Sequence, residues 1–139
     1  MGGKIVPVAR RQDYSLNTPA NGELTIPLGP PLFIPDTVSG VLTAVVYSWS
    51  LNDTGAKISF GVFNVFLPNK GEAAVMNTSD IPARIELTSS SSTAQLKQAE
   101  LTAPLGPYLQ CSLVYEQGAT AAATPSSVDF ELLLILRDR

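Results

Sequence analysis

The chain has 139 residues, of which 45% are hydrophobic and only 15% charged, with a formal net charge of −3 at neutral pH. That length suits one domain with its own core, and so much apolar side chain excludes a disordered chain, which cannot bury enough surface to offset its ordering entropy. Nine basic residues are spread thinly, with Arg10-Arg11 the only adjacent pair, which excludes the electrostatic footprint of a nucleic-acid-binding protein.

The segment Met1 to Pro7 lacks the apolar core of a signal peptide, and Val6 stands where a myristoylation motif wants Ser or Thr. No apolar run reaches the roughly 20 residues of a membrane span, so neither membrane nor nucleic acid is an expected partner. Strands are expected at Lys4 to Ala9, Asp13 to Leu16 and Glu23 to Leu28, followed by a proline-rich bend, Pro27 to Pro35. Residues 1–11, with Ile5, Val6 and Val8 around Pro7, hold too few apolar groups to fold alone. They are expected to form an extended N-terminal arm on a single sandwich domain, residues 12–139.

Val41 to Leu51 is rich in β-branched and aromatic residues, and Tyr47, Trp49 and Leu51 alternate with Ser48 and Ser50. Core packing is the expected use of Tyr47 and Trp49. The turn formers Asn52-Asp53-Thr54-Gly55 lead to a second long strand, Ala56 to Leu67, and the two are expected to pair as a hairpin. Pro68-Asn69-Lys70-Gly71 ends that strand. Arg84 to Thr88 alternates like a half-exposed strand, whereas Ala94 to Leu101 reads as a strand with a short helix as the alternative. The last strands are Tyr108 to Glu116 and Val128 to Arg137, joined by a connection long for a hairpin. About eight or nine short strands at this spacing imply an all-β chain, a two-sheet antiparallel β-sandwich, jelly-roll-like in connectivity.

Chemistry-bearing groups are sparse. Cys111 lies in an apolar strand, cannot pair internally, and has no histidine anywhere in the chain to activate it. Asp53-Thr54-Gly55-Ala56 looks like an aspartic-protease triplet, but an apolar-apolar-Gly partner segment is missing and an Asx turn explains the residues. Asp129 and Glu131 share one face of the last strand, where solvent exposure is the simpler account. Tyr14, Tyr47, Trp49, Tyr108 and Tyr115 offer a sugar-stacking platform only if they are exposed together. No catalytic, metal or cofactor site, and no enzymatic activity, is expected.

The last strand is two-faced: Phe130, Leu132, Leu134 and Leu136 on one side, Leu133 and Ile135 on the other. An exposed sheet normally turns a polar face to water, so the outward side should be covered by the chain's own arm or by another subunit. The same reasoning applies to Phe63 and Val65. The candidate assembly contacts are therefore Ile5, Val6, Val8, Arg10, Arg11, Leu133, Ile135 and Arg137.

The arm Gly2 to Arg11, the sandwich, the small-residue loops and the missing catalytic groups together resemble the small jelly-roll structural proteins of tailed-bacteriophage virions, of the capsid decoration or cement kind. The resemblance is one of architecture over the whole chain, and no family motif carries a residue across. It implies a virion protein made in the host cytoplasm, a homo-oligomer with a trimer favoured, bound to a major capsid or other virion protein. The alternative is a carbohydrate-binding or adhesive sandwich of a tail, fibre or surface, with a glycan as partner.

Overall fold

The structure is a computed structural model and describes residues 3–66, 75–78, 81–87, 91–102, 104–120 and 124–138. The described secondary structure is all strand: β1 (Gly3–Leu16), β2 (Glu23–Pro27), β3 (Leu32–Phe33), β4 (Thr37–Ser50), β5 (Lys57–Phe66), β6 (Val75–Met76), β7 (Ala83–Leu87), β8 (Ser91–Glu100), β9 (Tyr108–Glu116) and β10 (Ser126–Asp138). The period-two pattern behind these strands is plain in β10, where Val128, Phe130, Leu132, Leu134 and Leu136 are all buried.

One sheet has the order β1-β10-β4-β8. The other runs β2-β9-β5-β6, with β3 also on β9 and β7 also on β5, and every pair is antiparallel. If β2 and β3 count as one broken strand and β6 as an appendage, the first, last, third and sixth strands form one sheet. The second, seventh, fourth and fifth form the other, which is the jelly-roll order. The core lies between them, with Phe60 of β5 against Phe130 of β10 at 4.7 Å between ring centroids.

Several expectations change. The segments 41–51 and 56–67 do not form a hairpin, because β4 pairs with β10 and β8 while β5 pairs with β9, β7 and β6. Each strand turns one face into the core, and the turn between them carries the chain across to the opposite sheet so that those faces meet. The longer link between β9 and β10 makes the same crossing between sheets. Residues 94–100, read as strand with a helix as the alternative, are strand as favoured: the ladder with β4 outweighs their modest helix propensity. Residues 3–11, expected as an arm, run within β1 alongside β10 of the same chain, from Gly3↔Arg137 to Leu16↔Ser126.

Tyr47 departs from its expected place in the core. Against β10, Phe130 faces Val46 and Asp129 faces Ser48, so Tyr47 is the extra residue of a β-bulge. The bulge shifts the alternation by one, turning Val46 and Trp49 inward and leaving Tyr47 40% exposed; Trp49, at 4%, is a core residue as expected. Phe63 and Val65 are buried by their own chain. Val65 pairs with Met76, and the Phe63 ring folds back over Gly61, where a Cβ would come within 2.8 Å of it.

One end of the sandwich is closed by polar groups. Tyr115 is fully buried, and its hydroxyl donates to Gln117 Oε1 at 2.6 Å and lies 3.0 Å from Ser126 Oγ. The Asn52 and Gln117 amides bond each other reciprocally at 3.1 and 3.0 Å, which joins the β4–β5 turn to the end of β9.

Candidate assembly surface

Strand parity sets which side chains share the outer face of the four-stranded sheet. One row across the strands is Ile5, Ile135, Val41 and Glu100, and the next is Pro7, Leu133, Thr43 and Gln98. A third is Arg10, Glu131, Val45 and Leu96. Ile5 and Leu96 are each 64% exposed, Pro7 is exposed, and Val41, Val45, Leu133 and Ile135 are half-buried by their lateral neighbours alone. Apolar side chains thus lie on the outer side of all four strands, around a buried Thr43 that accepts from Gln98 at 3.2 Å, with no layer over them among the described residues.

A polar cluster borders the band. Arg10 sits 2.6 Å from Asp129 and donates to the carbonyls of Phe130 at 3.1 Å and Arg11 at 2.6 Å. Its guanidinium lies 4.6 Å over the Tyr47 ring, and the Tyr47 hydroxyl donates to Glu131 Oε2 at 3.2 Å. Asp129 and Glu131 do share a face, as their spacing predicts. Asp129 is ion-paired with Arg10 and Glu131 accepts from Tyr47, so both carboxylates belong to one surface polar network.

Of the expected contacts, Ile5, Arg10, Leu133, Ile135 and Arg137 come to this face. Val6 and Val8 instead pack against the core, and Arg11 lies in the Phe130 row with its guanidinium 5.5 Å over the Tyr14 ring. Val41, Val45 and Leu96 belong to the band but were not among the expected contacts. Val41, Thr43 and Val45 alternate with the buried Leu42, Ala44 and Val46, the same two-faced pattern that marks β10, so the signal for β4 was present.

The outer face of the second sheet is mixed, with polar groups at one end and Phe33, 60% exposed, paired with Tyr108 on β9. A groove of about 190 Å³ runs there between Glu23, Thr25, Ser59, Arg84 and Glu116, floored by Phe63 and Met76. On the edge strand β7, Arg84 pairs with Glu86 at 3.0 Å and donates to Ser59 Oγ of β5 at 3.3 Å.

The remaining candidates are accounted for structurally. Asp53 Oδ1 accepts the backbone N–H groups of Gly55 at 2.8 Å and Ala56 at 3.0 Å, an Asx turn. Cys111 is buried, and desolvation pushes its thiol up to about 12. Among the described residues, no group of three or more His, Cys, Asp or Glu side chains is placed to hold a metal ion. The five aromatics do not gather into one platform: Trp49 and Tyr115 are buried, Tyr14 and Tyr47 belong to the four-stranded sheet, and Tyr108 lies on the other. Tyr108 instead meets the exposed Phe33 at 5.0 Å between centroids.

No protein-family model matches the sequence, and no curated protein matches it. Among solved structures, the fold is similar to a chain in the structure of infectious bursal disease virus, Gx strain, with a TM-score of 0.54 and 13% identity over 97% of this chain and 33% of that one. This chain therefore spans about a third of the length of that viral chain. It also overlaps the carbohydrate-binding module CBM6cm-2 of Cellvibrio mixtus lichenase 5A, solved with cellotriose, at a TM-score of 0.42 and 12% identity over 98% of each chain. The VP2 subviral particle of infectious bursal disease virus aligns at a TM-score of 0.33 and 12% identity, over 99% of this chain and 42% of that one. At such identities the likeness is one of fold.

Proposed function

We propose that this chain is a non-enzymatic structural protein of a virion, a capsid decoration or cement protein of the tailed-phage kind. In this reading it docks through the outer face of its four-stranded sheet onto an apolar, weakly charged surface of a capsid-shell protein. The observation that carries the reading is the band of Ile5, Pro7, Val41, Val45, Leu133, Ile135 and Leu96. An antiparallel sheet with a free outer face ordinarily alternates apolar-in with polar-out, and this one does not. Contiguous apolar surface of that kind marks an interaction site. Its flanking cluster of Arg10, Asp129, Glu131 and Tyr47 supplies a polar rim of the sort that surrounds a protein–protein contact. The low overall charge agrees, since charged residues are depleted at the centre of interfaces.

The test is quantitative mass spectrometry of purified particles from the system that encodes the chain. The chain is expected at a fixed ratio to the major shell protein and should rebind stripped particles when added back. Its absence from particles, with no rebinding, overturns the reading. A carbohydrate-binding role is favoured by one observation, the exposed Phe33 ring against the half-buried Tyr108, since exposed rings can stack on sugars. Binding on a glycan array that is lost in Phe33→Ala, together with no affinity for particles, would move the assignment there.

A further inference from the structure

The four-stranded sheet ends in β1 on one side and β8 on the other, and a free strand edge is a template for another strand. The β1 edge is guarded. Pro7 has no N–H to give, the register slips at Pro7/Ala9 and at Arg11/Tyr14, and Asp13 takes a left-handed φ of 47°. In the second sheet, β2 and β7 present only five residues each. The β8 edge differs from all of these. It is ten residues long, contains no proline, and keeps an unbroken register against β4 from Glu100↔Val41 to Ser91↔Ser50. Its only charged residues are Lys97 and Glu100, and Leu96 stands 64% exposed in its middle. Among the described strands, β4 is the one that pairs with it.

We propose that two copies of this chain join edge to edge through β8, antiparallel across a twofold axis at Leu96, so that their four-stranded sheets become one continuous sheet. The proposal deepens the assembly reading and rests on it. The occupant follows from the strand's own sequence. For both sandwiches to lie on the same side of a shared sheet, facing residues must have the same parity, so the axis passes through a residue and not between two. An axis at Lys97 sets two ammonium groups against each other, and like charges directly opposite are destabilising. An axis at Gln98 shortens the overlap and places Glu100 against Leu96. An axis at Gln95 faces Leu96 with Ala94 and loses the leucine pair. With the axis at Leu96, the two leucines cover each other, Lys97 faces Gln95, and Glu100 faces Ser92. No like charges meet, and nearly the whole strand is paired. Leu96 belongs to the outer row with Val45 and Glu131, so the union also makes one apolar band out of two.

Such a pair is twofold and departs from the trimer that the phage resemblance implies, which makes the two separable by mass. The experiment uses full-length protein with Leu96→Cys and, as its control, Gln98→Cys. The native Cys111 is buried and stays out of the reaction. Mild oxidation is expected to link Leu96→Cys into a disulfide dimer and to leave Gln98→Cys unlinked, because in this register Gln98 faces Ala94. Light scattering should give the wild type twice the chain mass of 14.7 kDa and give Leu96→Lys a single chain mass with an unchanged circular dichroism spectrum. A wild-type monomer or trimer, no disulfide in Leu96→Cys, or equal cross-linking of both cysteine variants overturns the pairing. Particle rebinding by the wild type, measured separately, still holds in those cases if the sheet-face reading is right, so the two fail independently.

Discussion

Asp53 shows how a residue that resembles catalytic machinery is used in a turn. Its Oδ1 caps two backbone N–H groups of the β4–β5 crossing, and Gly118 lies so close that any Cβ there would overlap the carboxylate. Asp53→Asn keeps the acceptor, so a urea titration should show a change of well under ~1 kcal/mol. Gly118→Ala must push the turn aside and is expected to cost about 1–3 kcal/mol in the same titration. A peptide-cleaving activity abolished by Asp53→Asn would contradict the turn account. Cys111 makes a second residue-scale case. Burial pushes its thiol up to about 12, so it remains a protonated, unreactive thiol across the neutral range. Iodoacetamide should label it only in denaturant, and rapid labelling of the native protein would show that β9 opens.

At the scale of elements, alternation located the strands but did not choose their partners. The pattern in Val128 to Leu136 or Leu109 to Tyr115 is local, and it survives into the structure almost unchanged. Pairing in a jelly roll is mostly between strands distant in sequence, and a turn such as 52–55 looks the same whether it closes a hairpin or crosses between sheets. That is why the expected 41–51 and 56–67 hairpin was wrong while both strands were right. The Tyr47 bulge was hidden for a related reason: it exists only relative to β10, whose register no window around residue 47 contains. The two-residue β3 and β6 are too short to leave a periodic signal, and both are defined by their partner strands. Of the candidate assembly surface, the β10 half was legible as a surplus of apolar residues. The contribution of β8 was not, because Leu96 is a single leucine in an otherwise polar strand.

The N-terminal strand offers a test at the same scale. Val6, Val8 and Ala9 of β1 pack against the core, and its backbone runs alongside β10. Deleting residues 1–11 removes those side chains and leaves an edge of β10 unpaired from Arg137 to Phe130. Burial of a valine side chain is worth about 1.5–3 kcal/mol, so an edge strand predicts a loss of roughly 2–5 kcal/mol on truncation. An arm that leaves its own sandwich predicts none. Denaturant midpoints of the full-length and truncated chains, at matched slope, decide between them.

For the whole molecule, the defining asymmetry lies between the two outer faces. The second sheet mixes polar groups, with the Arg84–Glu86 pair on its edge strand β7, and buried Phe63, whereas the first sets apolar side chains on the outer side of all four strands. Folding alone calls for apolar side chains on the inner faces and gives no reason for apolar ones on the outer side of all four strands. An assembly contact does give one. The most direct measurement is co-sedimentation of Leu133→Glu with stripped particles, beside wild type and a Thr25→Glu control on the second sheet, each checked for an unchanged circular dichroism spectrum. Leu133 is half-buried on the outer face, so a glutamate there should leave the sandwich folded yet set a charge in the middle of the contact. The account predicts binding by wild type and Thr25→Glu and a loss of at least about tenfold in Leu133→Glu, the equivalent of 1.4 kcal/mol. Equal binding by all three, or loss in Thr25→Glu alone, would contradict it.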